Sequence, residues 1–241
     1  MRAIRVLLVG VVLVALLLVV ADRVLAWVGQ RAVADQVAAE LTARSVDSQP
    51  PEVSFDRAPF LTQVAAGRYE SITLRLRDVG TADLRLPLVE LTARGVTATV
   101  DTLVSRQGEI IAERVEGSAT VGYAAVIDQT GMTGLELAPD VGGNLAVRLP
   151  ADLLGQDLTL TGTAEATPVD GGIVLRVDDL TVTGDTGLPP AAEPLVADLA
   201  ERLSVTVPLP PLPYGLTVQS VRAGPNGFVV SVTATNVQLA R

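Results

Sequence analysis

The stretch Ser71-Ile-Thr-Leu-Arg-Leu-Arg77 indicates what kind of fold this chain adopts. Ile72, Leu74 and Leu76 alternate with polar residues, and a period of two places all three apolar side chains on one face of a strand. The same alternation returns in Leu158-Thr-Leu-Thr161. The chain is also rich in valine and threonine and has 21 glycines, a composition that suits strands and turns better than a helical bundle.

Strand patterns continue on the C-terminal side of this stretch. They lie at Leu84–Val104, Ile111–Val121, Leu135–Gly184, Leu216–Val221 and Phe228–Val237. The first is interrupted near Pro87 and Gly95, the third resembles a meander, and the last two form a hairpin around Pro225-Asn226-Gly227. The connections are too short for parallel crossovers, so the pattern predicts an α+β fold with antiparallel strands.

Three segments carry helical patterns. The longest runs from Asp22 to Arg44, and Ser45 to Pro51 then breaks it. Its apolar stripe consists of Val33, Val37 and Leu41. A short helix is predicted around Tyr123–Ile127, and an amphipathic helix follows Pro189-Pro190.

The N-terminus carries the pattern of an export signal. Arginines precede sixteen uninterrupted apolar residues, Val6 to Ala21, and a positive start before an apolar run is typical of such segments. As a helix the run spans roughly 24 Å, short of the roughly 30 Å hydrocarbon core of a bilayer. Extension of the run to Val28 would bury Asp22 and Arg23, which is costly.

Both a cleaved signal peptide and an uncleaved anchor are compatible with this segment. Small residues suited to cleavage stand at Ala21 and Ala26. The positive flank keeps the N-terminus inside and sends the rest of the chain out. We therefore expect residues 1–21 to be a signal peptide or membrane anchor, and residues 22–241 to form a single exported domain.

The composition removes several kinds of chemistry. Histidine and cysteine are absent, so the chain has no imidazole base, no thiolate nucleophile and no zinc ligand of either type. Its net charge of −9 opposes binding to a nucleic-acid phosphate backbone. We expect no catalytic residues, no metal site, no cofactor and no nucleic-acid partner.

Two conspicuous motifs are interpreted as structural. Asp178 and Asp179 are adjacent carboxylates, but neighbours on a strand point to opposite faces and do not easily share a site. Pro208-Leu-Pro-Pro-Leu-Pro213 resembles a polyproline II ligand, and we interpret it as a rigid connector into the final hairpin. A carbohydrate-active enzyme that uses only Asp and Glu stays an alternative, although the sequence offers no close carboxylate pair.

An apolar turn ahead of the Ser71–Arg77 strand carries the candidate binding residues. Arg57 and Arg68 flank Phe60, Leu61 and Val64. In a binding site, the guanidinium groups would take a phosphate while the apolar side chains meet acyl chains. In the alternative, the turn is a structural corner whose Phe and Leu enter the core and whose arginines are solvated.

Several of these residues also carry a family resemblance. Pro59-Phe60-Leu61-Thr62-Gln63, then Gly67-Arg68-Tyr69 and an alternating strand, resembles the signature of an actinobacterial cell-envelope family of phospholipid-binding proteins, typified by lipomannan elongation factor A. Leu212-Pro213-Tyr214-Gly215-Leu216, Asn226-Gly227-Phe228 and Asn236-Val237 resemble the same family. The resemblance covers nearly the whole chain after the export segment.

The resemblance implies a fold and a function. The fold would be a tubular lipid-binding (BPI-like) half-barrel, in which a strongly curved antiparallel sheet wraps the long N-terminal helix around an apolar tunnel. The protein would be non-enzymatic and would bind phospholipid, with the phosphatidylinositol type among the candidates. It would act in a periplasm-like space or at the outer face of the plasma membrane, with the membrane surface and envelope glycosyltransferases as partners in lipoglycan assembly.

Enclosing an acyl chain requires an aliphatic concave surface. Burial of one CH₂ contributes about 0.8 kcal/mol, so a sixteen-carbon chain gains roughly 12 kcal/mol. The predicted lipid-binding residues are Val33, Val37, Leu41, Phe60, Leu61, Val64 and Tyr214, with Arg57 and Arg68 as head-group candidates. The main alternative is a non-catalytic interaction module that scaffolds envelope enzymes.

Overall fold

The computed structural model describes residues 2–56, 59–80, 85–99, 101–102, 108–130, 133–140, 142–153, 156–169, 172–183, 193–208 and 212–240. The helices are α1 (Arg2–Ala43), α2 (Phe60–Ala66), α3 (Tyr123–Thr130) and α4 (Glu193–Leu203). The first strands are β1 (Glu52–Asp56), β2 (Arg68–Gly80), β3 (Arg85–Thr97), β4 (Ile110–Val121), β5 (Glu136–Pro139) and β6 (Leu145–Leu153). The others are β7 (Gln156–Val169), β8 (Gly172–Thr183), β9 (Val205–Pro208), β10 (Thr217–Gly224) and β11 (Gly227–Ala240).

The strands form two sheets. One has the order β1-β2-β3-β4-β11-β10 and the other the order β5-β6-β7-β8-β9. In every pair whose register the described residues define, the strands are antiparallel. The α+β class, the antiparallel pairing and the meander from Leu135 are therefore confirmed.

By its internal contacts the chain divides into two compact units. The first comprises residues 1–77, 90–116 and 234–241, and the second residues 78–89 and 117–233. We call them unit 1 and unit 2. The prediction of a single domain after residue 21 stays a prediction.

The helix α1 is continuous through the predicted export segment and beyond it. Its C-terminal half confirms the helix predicted from Asp22, and it ends at Ala43. From Gly10 onward it is long and apolar enough, by length and composition, to cross a membrane, with a mean hydropathy of 2.5 over its most apolar window. In unit 1, α1 packs against β1 and α2.

Over residues 72–77 of β2, the alternation separates apolar side chains from polar and charged ones. Leu76 is buried, while Arg75 and Arg77 form ion pairs with Glu90 and Glu52 on the neighbouring strands. The Arg75–Glu90 pair has an N–O distance of 2.6 Å. Exposed pairs of this kind contribute little stability each, but they cover a sheet face with polar groups and so leave the opposite face for packing.

The core of unit 2 lies between its sheet strands and two helices. Leu145 and Leu160 are its largest fully buried side chains, and they lie on β6 and β7. Val196 and Leu203 of α4 are buried in the same apolar cluster. The amphipathic helix predicted after Pro189-Pro190 is therefore confirmed, and so is the short helix that α3 forms.

The final hairpin forms as predicted, whereas β3 differs from its prediction. β10 pairs with β11 from Thr217 to Gly224, and the chain turns at Pro225 and Asn226. β3 is continuous through Pro87 and Gly95, so the predicted interruptions are wrong. Gly95 adopts φ +61°, a left-handed conformation that a glycine accepts at little cost, so the strand is locally distorted without ending.

The described residues do not form the predicted single curved sheet around α1. The strands divide between two sheets, and neither closes on itself. Only β1 and α2 make substantial packing contacts with α1 among the described residues. The BPI-like half-barrel therefore stays a prediction, while the long N-terminal helix and the antiparallel sheets are confirmed.

Candidate functional site

A groove of about 600 Å³ runs along α1 in unit 1. One wall is the C-terminal half of α1 from Trp27 to Thr42, and the other is the chain from Val46 to Val53. Its apolar lining residues are Trp27, Ala34, Ala38, Leu41, Val46, Pro50, Pro51 and Val53. The volume lies within the range of small-molecule sites. Ala34 and Ala38 have short side chains, so this side of the helix leaves room for a chain-like ligand.

A cation–π pair stands at one end of the groove. The guanidinium carbon of Arg31 lies 5.3 Å from the centre of the Trp27 ring, one helical turn away on the same face. Both residues line the groove. The stacked geometry holds the guanidinium at the groove edge, where its fork of N–H donors suits a phosphate.

Carboxylates lie on both walls of the groove. They are Asp35, Asp47 and Glu52. The hydrogen bond from the Arg77 side chain lowers the pKa of the Glu52 carboxyl below its usual value. Glu52 is therefore held in its ionised form.

Aromatic rings pack together where α2 meets β1 and β2. The ring centres of Phe55 and Phe60 are 4.9 Å apart, and Tyr69 lies 6.1 and 6.2 Å from them. Gly29 of α1 faces both phenylalanines, and a Cβ at that position would lie 3.3 and 3.4 Å from their rings. The Phe60 ring takes part in this packing, as the structural-corner interpretation expects, and its predicted contact with lipid stays a prediction.

A buried carboxylate of α1 contacts the first turn of α2. Asp22 is 6% exposed, and its Oδ1 accepts a hydrogen bond of 2.7 Å from the Leu61 backbone N–H. Gln63, also buried, accepts from the Glu70 N–H at 3.0 Å. These bonds fix α2 to both α1 and β2 because they satisfy groups that would otherwise be buried unpaired.

Two buried hydroxyls on β2 have no hydrogen-bond partner among the described residues. They are Tyr69 Oη and Ser71 Oγ, on the same face of the strand. Burial raises the pKa of the Tyr69 phenol, so it stays protonated at neutral pH. Each hydroxyl bears a desolvation cost that no group of the described residues offsets.

Replacing the buried Tyr69 and the half-buried Tyr123 by phenylalanine is expected to have opposite effects. Tyr69→Phe removes an unpaired hydroxyl, so the free energy of unfolding should stay level or rise by up to about 1 kcal/mol. Tyr123→Phe removes a hydroxyl that donates to the Gly224 carbonyl at 2.7 Å, so the free energy of unfolding should fall by about 1 kcal/mol. Chemical denaturation of the two variants checks the signs, and a clear loss in Tyr69→Phe would contradict the first.

Of the candidates on α1, one lines the groove. Leu41 does, whereas Val33 is 37% exposed and Val37 is half-buried, and neither is a lining residue. On α2, Leu61 and Val64 are half-buried beside α1 and β2. The prediction that these side chains contact lipid stays a prediction.

The remaining candidates are spread over the chain. Arg68 forms an ion pair of 2.5 Å with Glu113, so its guanidinium already has a carboxylate partner. Arg57 lies outside the described residues. Tyr214 belongs to unit 2, where it is 60% exposed in a short turn at φ +60°.

The groove also contains residues that the sequence patterns did not single out. Trp27 and Arg31 are the clearest, and their signal in the sequence is an i, i+4 spacing that begins six residues after the apolar run. Ala34 and Ala38 carry the same helical periodicity further along α1. Nothing in the sequence indicates that residues 46–53 return to face them.

These features define a class: α+β proteins whose N-terminal helix is long and apolar enough to cross a membrane and continues as one wall of a ligand-sized groove. The chain matches the family model described as LmeA-like phospholipid-binding over residues 20–233, and it therefore belongs to that family. The predicted family is thereby confirmed, and with it a phospholipid as the class of ligand that the family description names. Neither the curated proteins nor the solved structures contain a match.

Proposed function

We propose that this chain is an exported, non-enzymatic phospholipid-binding protein held at the outer face of the plasma membrane. The groove beside α1 takes the lipid. The position of that groove carries the proposal: it begins at Trp27, directly after the exposed apolar part of α1. A lipid leaving the outer leaflet along the helix would reach the groove without crossing water.

The apolar lining supports binding of an acyl chain. Ala34, Ala38 and Leu41 form a continuous strip on α1, and Val46 and Val53 face it. Each methylene that this strip removes from water contributes about 0.8 kcal/mol, so even partial enclosure of one chain gives useful affinity. The groove is open along its length, which suits a chain that has to enter and leave.

The polar lining supports a phosphate ester of a polyol as the head group. Arg31 supplies the donors for a phosphate, while Asp35 stands one helical turn further along the same face. Carboxylates repel a second phosphate but accept hydrogen bonds from hydroxyl groups. An inositol ring offers such hydroxyls, so a phosphatidylinositol-type lipid fits this pairing better than a head group without them.

The ionised state of Glu52 makes this carboxylate unsuited to general-acid catalysis. A general acid needs a carboxyl whose pKa is raised toward neutrality, and the Arg77 contact shifts the Glu52 pKa in the opposite direction. In this proposal the protein presents its lipid to other proteins of the envelope. Glycosyltransferases that assemble lipoglycan are the partners proposed for that step.

Co-purification tests the proposed function. The full chain, isolated in mild detergent, is expected to retain phospholipid in a defined ratio that survives delipidating washes. Organic extraction and mass spectrometry identify the lipid, and exchange against phosphatidylinositol, phosphatidylglycerol and phosphatidylcholine ranks the head groups. Repeated isolation of lipid-free protein that also takes up none of the three would refute the proposal.

A further inference from the structure

The exposed apolar surface of α1 continues past the predicted export segment. Val11 to Val20 carry large side chains that are mostly more than half exposed, and Val24, Leu25 and Val28 remain about half exposed. A contiguous apolar surface of this size on a helix marks a membrane contact. The apolar part of the helix is therefore longer than the run that ends at Ala21.

The ends of this longer segment match the thickness of a bilayer. From Arg5 to Trp27 the helix rises roughly 33 Å, against a hydrocarbon core of roughly 30 Å. Tryptophan and arginine are typical of the lipid head-group level, and Trp27 with Arg31 supplies that pair. The outer membrane surface then lies near Trp27.

Asp22 and Arg23 lie on the membrane side of that level. The exposed Arg23 precedes Trp27 by four residues, and its long side chain can extend to the head groups. Asp22 precedes Trp27 by five residues, which places it roughly 7.5 Å deeper along the helix. A carboxylate at such a depth is costly unless it is bonded, and the Leu61 N–H bonds it at 2.7 Å. The first turn of α2 must therefore reach the same depth as Asp22.

The composition of α2 is compatible with that location. Its seven residues, Phe60 to Ala66, include no charged side chain, although 19% of the chain is charged. Its most polar residue, Gln63, is buried and bonded within unit 1. Of its exposed positions, Ala65 and Ala66 are small and apolar, and the Thr62 hydroxyl donates to the Pro59 carbonyl.

We propose that α2 docks into the outer leaflet of the same bilayer that α1 crosses, at a depth set by the Asp22–Leu61 hydrogen bond. The partner of this surface is the phospholipid bilayer. The proposal rests on the membrane attachment in the proposed function, but not on a lipid occupying the groove. It also requires α1 to stay uncleaved, because cleavage at Ala26 would remove Asp22 and cleavage at Ala21 would separate it from the anchor.

Depth-dependent quenching tests the proposal with the full chain. Trp27 is the only tryptophan and the chain has no cysteine, so Ala65→Cys and Ala43→Cys each accept one fluorophore. The protein is reconstituted in phosphatidylcholine–phosphatidylglycerol vesicles containing lipids with head-group-level quenchers. Trp27 and the probe at position 65 are expected to be quenched at least twofold more than the probe at position 43, which ends α1 roughly 24 Å further out.

Each outcome bears on the proposal. Equal, weak quenching at positions 65 and 43 with a quenched Trp27 overturns the docking of α2 and leaves the proposed function intact. An unquenched Trp27, or an intact mass that lacks residues 1–21, overturns both the docking and the anchor. Lipid co-purification is measured separately, so failure of lipid binding is distinguishable from failure of docking.

Substitution of Asp22 tests whether the Asp22–Leu61 hydrogen bond sets the depth of α2 in the outer leaflet. Asp22→Leu removes the acceptor, and the probe at position 65 should lose at least half of its quenching. Asp22→Asn keeps the shape and an acceptor oxygen, so its quenching should stay near that of the parent. Unchanged quenching in Asp22→Leu would overturn the role of the hydrogen bond.

Discussion

Ala38→Trp is expected to abolish most phospholipid binding. Ala38 lies on the α1 wall of the groove, and an indole there would occupy space that an acyl chain needs. Exclusion of two or three methylenes costs about 2 kcal/mol, which weakens affinity roughly 30-fold. Titration of the delipidated full chain with a fluorescent phospholipid measures this change.

The adjacent residue supplies a matched control. Ala39 is exposed on the same helix and does not line the groove, so Ala39→Trp adds the same indole and carries the same helix-propensity cost. Its affinity should stay within about twofold of the parent, a difference of less than about 0.5 kcal/mol. If Ala38→Trp and Ala39→Trp bind equally well, the lipid does not lie in this groove.

Local patterns in the sequence predict the elements well. The alternation through Ile72, Leu74 and Leu76 gives β2, and the final hairpin forms around Pro225 and Asn226. These features depend on side-chain period and turn chemistry, both of which act over a few residues. They are therefore visible in the sequence alone.

The contacts that build the site act over much longer separations. Arg68 flanks an apolar turn and is a head-group candidate in the sequence, yet its partner is Glu113, 45 residues away. Asp22 looks like an expensive charge at the edge of an apolar run, yet Leu61 satisfies it from 39 residues away. A single sequence contains the residue types but not the register that brings them together.

The groove was missed for the same reason. Its second wall comes from residues 46–53, where the sequence shows a helix break and then a strand. A break indicates where a helix ends but not the direction that the chain takes afterwards. The volume between the two walls depends on that direction, so it emerged only from the packed structure.

Gly227→Ala is expected to destabilise unit 2 strongly. Gly227 adopts φ +143°, and a Cβ there would overlap the backbone carbonyl of Val121 and the Cα of Gly122. The atoms in the way belong to the main chain at the end of β4, so relief requires the strand to move. We expect the free energy of unfolding to fall by about 3–4 kcal/mol, which corresponds to a fall in Tm of roughly 6–16 °C for a chain of this size.

Gly143→Ala separates the effect of contact from that of backbone strain. Gly143 is also left-handed, at φ +80°, but a Cβ there would meet nothing within 4 Å. Gly143→Ala should therefore lower the free energy of unfolding only by the cost of backbone strain, about 1 kcal/mol. Thermal unfolding of both variants, followed by circular dichroism, should show a fall at least twice as large for Gly227→Ala. Equal falls would mean that β11 does not approach the end of β4 as closely as the structure places it.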